Sequence, residues 1–154
     1  MSLTQPLTRT LSVAAVVLCV TTLAFAQKPA ASASRTAASS RPQGVGTSRE
    51  IMEVLTIPLS DAVFAAGSKP PASDAEWEKV QQQALALAES ANLLLMPPRL
   101  ITTGSWVKWS VAQRDASVVA LKAARAKNGD ALSTAADALY ETCAGCHKTY
   151  LPSK

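Results

Sequence analysis

From Thr47 onward, apolar residues recur at steps of three and four, the period of a helix with one buried face. The pattern is clearest over 77–95, where Trp77, Val80, Ala84, Leu87, Ala88, Ala91, Leu94 and Leu95 share one side. Ser73-Asp74-Ala75-Glu76 opens this stretch as a capping box, and Met96-Pro97-Pro98 closes it. Upstream, Thr47-Ser48-Arg49-Glu50 is a second capping box, followed by the apolar Ile51, Met52 and Leu55. Pro58 interrupts, Val63 and Phe64 resume the pattern, and Gly67 stops it, so one kinked helix or two short ones are expected over about 48–66. A third helix is expected over about 105–127, with Trp109, Ala112, Ala116, Val119, Ala120 and Ala123 inward and Trp106 one turn earlier. Asn128-Gly129 ends it. Asp130 then caps a fourth, which carries Leu132, Ala136, Leu139, Cys143 and His147 on one face. No alternating run is long enough to predict a strand. Four amphipathic helices on short connections predict an all-α fold, an antiparallel four-helix bundle. Alanine is frequent at its inner positions, so the core is expected to be thin, with room for a large apolar group.

The residues before this region read differently. Arg9 is followed by an apolar stretch, 11–26, that ends in Ala24-Phe25-Ala26. A basic start, a short apolar run and an A-x-A end predict a secretory signal peptide over 1–26, cleaved after Ala26. The run falls short of the roughly 20 residues that span a bilayer, so no stable membrane insertion is expected after cleavage. The expected location is the periplasm. Residues 27–46 are rich in Ala, Ser, Pro and Gly and predict a flexible linker, leaving 47–154 as the folded domain.

Charge alters this picture little. The chain of 154 residues has a formal net charge of +4. Residues 49–154 hold 11 basic and 11 acidic side chains, so the excess sits in the leader and linker. No basic patch interleaved with aromatics points to nucleic acid.

The chemistry concentrates near the C-terminus. Cys143, Cys146 and His147 stand as C-x-x-C-H, and His147 is the sole histidine. Cys19 lies within the expected leader, so the mature chain keeps two thiols. A closed zinc site needs four protein ligands, and none remain to complete one. A thioredoxin-like redox pair wants a strand before the motif and a helix after it, whereas here a helix leads in and the sequence soon stops. The reading that uses all three residues is haem c: each thiol joins one vinyl group and His147 coordinates the iron. On a helix, Cys143, Cys146 and His147 fall on one side within a turn or so.

The stretch Cys143-Ala144-Gly145-Cys146-His147-Lys148-Thr149-Tyr150, late in a four-helix pattern, resembles the class II cytochromes c, the cytochrome c prime group and its low-spin relatives. That family reads C-x-x-C-H-x-x-(Tyr/Phe), matched by Cys143, Cys146, His147 and Tyr150. Class I cytochromes c carry the motif early with a methionine after it, and no methionine follows His147. The resemblance implies one covalent haem, a redox partner protein and no catalytic residue; family members often form a homodimer through helices one and two. In the family, the residue over the open haem face comes from helix one, a turn after an arginine near a propionate. Arg49 and Met52 stand in that place, three apart where the family has four. They are the expected propionate partner and sixth iron ligand. Met96 is the other methionine of the mature chain, and Arg99 a second candidate for a propionate. With methionine bound, the protein is expected to be an electron carrier; with the sixth position open, a five-coordinate binder of NO or CO. A peroxidase-like enzyme would want a second histidine as distal base.

Overall fold

The computed structural model describes residues 42–151. Four helices carry most of them: α1, Ser48–Ser68; α2, Asp74–Leu94; α3, Trp106–Arg125; and α4, Gly129–Tyr150. There is no strand among the described residues. The expected signal peptide, 1–26, and most of the expected linker lie outside the described residues.

Cross-helix contacts fix the direction of each helix. Thr56 Oγ1 on α1 donates to Ser90 Oγ on α2 at 3.2 Å, so the start of α1 lies beside the end of α2. Gln81 Nε2 reaches Ala124 O at 3.5 Å, and Trp106 Nε1 donates to Leu94 O at 3.0 Å, so α2 and α3 are antiparallel. The Ser105 N–H donates to Tyr150 Oη at 2.9 Å, laying the end of α4 beside the start of α3. Phe64 and Tyr140 meet edge to face with centroids 6.3 Å apart, which closes the ring between α1 and α4. The start of α1 and the end of α4 therefore share one end of the bundle. By length and composition α1 is apolar enough to cross a bilayer. Here it is one wall of the bundle, with Thr56, Ser60 and Val63 inward.

The core is built from Val63, Trp77, Val80, Leu87, Leu121, Leu132 and Leu139, with alanines between them. Both expected capping boxes form: Thr47 and Glu50 bond reciprocally at the start of α1, and Ser73 and Glu76 at the start of α2. Three local features go beyond the sequence pattern. First, of the two forms expected around Pro58, a single interrupted helix is the one found. A π-helical stretch, Met52–Thr56, comes before the proline, and the α-helix resumes with Pro58 in its opening turn, so the wider turn accommodates the missing N–H.

Second, the buried face of α3 is only partly the expected one: Trp106, Ala120 and Ala123 are buried as expected. Val119 is 53 % exposed, while Ser110, Gln113 and Ser117 point inward beside Ala120 and Ala124. Serine can face a core because its hydroxyl bonds back along its own helix, as Ser117 Oγ does to Gln113 O at 2.7 Å. Apolar residues alone therefore trace only part of that stripe.

Third, the cap of α4 is Asn128, whose side chain accepts from the Ala131 N–H at 2.9 Å, in place of Asp130. Lys127 takes the left-handed turn after α3, with φ 51°. The linker's last residues are also tied down: the Gly44 N–H donates to Pro97 O at 2.8 Å, and Arg99 Nη1 to Gly46 O at 2.7 Å.

The two boxes carry a pH dependence. Backbone N–H donors, that of Thr47 toward Glu50 and those of Ala72 and Ser73 toward Glu76, hold both carboxyls below their ordinary range. Their stabilisation is complete above the unfolded value of about 4.3 and is lost as pH falls through the lowered folded values. Thermal melts at successively lower pH should show the midpoint falling below about pH 4. Glu50→Gln combined with Glu76→Gln should flatten that fall.

Candidate functional site

At the end of the bundle where α1 starts and α4 stops, a half-open cleft of about 330 Å³ is lined by residues of three helices. α1 supplies Ser48, Arg49, Met52, Glu53 and Ile57; α3 supplies Trp106; α4 supplies Cys146, His147 and Tyr150, with Leu151 just beyond. Antiparallel packing brings them together, because Met52 and Cys146 are remote in sequence.

The walls are held by a chain of contacts. The Trp106 indole N–H donates to Leu94 O and pins the start of α3 to the end of α2. Tyr150 packs edge-on against Trp106, with centroids 5.2 Å apart and planes at 88°, while its hydroxyl accepts from the Ser105 N–H. That bond satisfies one of the donors left open at a helix start, a task for which Ser105 itself supplies no side-chain cap. Gly104, at φ 71°, lets the chain turn under the tyrosine hydroxyl.

The cysteine turn itself is packed against α3. A Cβ at Gly145 would lie 2.6 Å from Trp109 Cζ2 and run into other atoms of the same ring. Only glycine between the two cysteines admits the indole. Lys108 Nζ stands 5.0 Å from the centre of the Trp109 ring. The tryptophans thus divide their work: Trp77 is core, Trp106 is wall, and Trp109 braces the motif.

Of the expected site residues, Arg49, Met52, Cys146 and His147 line the one cleft. Cys143 stands one turn back from His147 and is half-buried. The His147 side chain is exposed. Arg49 is exposed at the rim, within 3.5 Å of Glu53 one turn on, an ion pair of little energetic weight. Met96 is not among the lining residues. Arg99 goes elsewhere: it is 5 % exposed, and its guanidinium donates to Leu93 O and Gly46 O. Its donors serve backbone carbonyls, so the expectation of a second propionate partner is corrected. Ile57, Glu53 and Leu151 were not legible as site residues, since nothing in their spacing relates them to the cysteine motif.

Comparison with protein-family models, curated proteins and solved structures found no match.

The chemistry of the site rests on its own donors. The two cysteines are free thiols. Burial pushes the Cys143 thiol up; burial, and then the neighbouring Cys143, pushes Cys146 up. A redox or nucleophilic C-x-x-C needs the opposite shift, toward thiolate at neutral pH. Among the described residues no cluster of three or more His, Cys, Asp or Glu side chains could hold a metal ion. The cleft itself gathers one thiol, that of Cys146, the exposed imidazole of His147 and the thioether of Met52 on the facing helix, while the Cys143 thiol stands one helical turn back from His147, outside the lining.

Gly145→Ala should lower stability by about 1–3 kcal/mol, since the indole cannot keep its place. Trp109→Ala in the same chain should remove most of that added cost, and a double-mutant cycle by denaturant unfolding measures the coupling. Tyr150→Phe should cost about 1–3 kcal/mol by leaving the Ser105 N–H without its partner.

Proposed function

We propose that the protein is an exported class II-type cytochrome c, an electron carrier that serves a redox partner protein in the periplasm. The observation that carries this reading is the shared cleft, in which Cys146 and His147 of the C-x-x-C-H motif meet Met52 and Arg49 of α1. Cys143 and Cys146 would hold haem through two thioethers. Each thiol S–H would add across one vinyl group, an addition that would need no oxidant. His147 offers a ring nitrogen to the iron, and Met52 offers a soft thioether sulfur from the opposite wall. Arg49 at the rim suits a propionate carboxylate. Haem bound there supplies a one-electron Fe(III)/Fe(II) couple. Trp106, Ile57 and Leu151 keep the cleft apolar, and the Gly145–Trp109 contact holds the cysteine turn rigid.

The protein, made with its leader in a host that has the haem-attachment machinery, should keep its colour on the polypeptide through acid–acetone extraction. Cys143→Ser with Cys146→Ser should abolish that retention. Complete extraction from the wild type overturns covalent attachment. The reduced wild type should be low-spin, and Met52→Ala should be high-spin and take up CO, with Met96→Ala unchanged. A wild type already high-spin and reactive toward CO would replace electron transfer with gas binding.

A further inference from the structure

The cleft contains one structural irregularity that the cysteine motif does not account for. The π-helical stretch Met52–Thr56 begins at Met52 itself, and the Ile57 N–H bonds to Met52 O, five residues back. Pro58 follows directly. It has no N–H to give to the carbonyl four residues earlier, and its ring crowds that carbonyl. A wider turn just ahead of the proline relieves both, and regular α-helix then resumes.

A π-turn holds one residue more than an α-turn. Downstream of it, α1 is fixed by packing: Ser60, Val63 and Gly67 face inward at steps of three and four. Upstream, the first turn of α1 is displaced by one position relative to an unbroken α-helix. At about 100° per residue that displacement is a large rotation. With the same downstream packing and no π-turn, Glu53, which now lines the cleft with its side chain 56 % exposed, would stand where Met52 stands, and its carboxylate would take the place of the thioether.

We propose that Pro58 is a positioning residue, and that the π-turn it imposes directs Met52 into the cleft opposite His147. This rests on the reading of Met52 as the sixth iron ligand. The turn's surplus residue is dispensable, because Val54 is 69 % exposed. Pro58→Ala restores the missing donor and lets α1 run as a regular helix, which moves Met52 out of line. Deleting Val54 in the Pro58→Ala chain removes the surplus residue, so a regular helix then presents Met52 where it stands now.

The test uses the holoprotein, its reduced visible spectrum and its uptake of CO, with thermal melts to establish folding. Pro58→Ala should lose most of its low-spin signal and take up CO, as Met52→Ala does. Pro58→Ala with Val54 deleted should regain the low-spin spectrum and exclude CO. If Pro58→Ala keeps the wild-type spectrum while Met52→Ala changes, the π-turn does not aim the ligand, and the proposal fails with the Met52 assignment intact. If both Pro58 variants are high-spin, disruption of α1 is the cause and the proposal also fails. If Met52→Ala leaves the wild-type spectrum unchanged, the ligand assignment fails first and takes this inference with it.

Discussion

The hydrogen bond from the Trp106 indole to the Leu94 carbonyl anchors one end of this bundle. It is buried, joins the start of α3 to the end of α2, and fixes the ring against which Tyr150 packs. Through Tyr150 it also holds the end of α4, and so the turn that carries Cys146 and His147. Three helix ends are thereby brought to a common geometry by two aromatic side chains. The fourth, the start of α1, closes the cleft from the other side. Large aromatic groups suit this task because each combines apolar area with one directional polar atom.

The rest of the interior is economical. Ala84, Ala88, Ala91, Ala120, Ala123, Ala124, Ala135 and Ala136 are buried, so the helices approach closely while each contact covers little area. Serines and a threonine share the inner faces, their hydroxyls bonded to nearby backbone or to each other. Gln113 is the exception: it is 6 % exposed, and its amide nitrogen has no hydrogen-bond partner among the described residues. An unmade bond of that kind costs about 1–3 kcal/mol. A core of this composition has modest apolar burial to set against chain entropy, and a large apolar prosthetic group in the cleft would add to it.

Much of the scaffold was legible because its signals are local. Both capping boxes, the end of α2 before Met96-Pro97-Pro98 and the inward line from Trp77 to Leu94 follow from spacing and cap chemistry within a few residues. The remaining features turn on local signals that have two physical solutions. Pro58 could split the first helix or be absorbed within it, and the wider turn ahead of it keeps the helix whole. Ser117 could face water or bond back along the helix; it is fully buried, and its hydroxyl bonds to Gln113 O. Arg99 could reach a cleft or serve backbone carbonyls, and the fold of the Met96–Leu100 loop placed it among carbonyls.

The sequence by itself determined that four helices form, where most of them start and stop, and that Cys143, Cys146 and His147 lie within about one helical turn, because those features depend on neighbours three and four residues away. Only the tertiary structure decided which methionine shares the cleft with His147, that Trp109 braces Gly145, and that Tyr150 closes the start of α3. Those relations join residues many turns apart. Antiparallel packing, together with the one-residue displacement in α1, sets which side chains meet there, and neither is written in any short stretch of the chain.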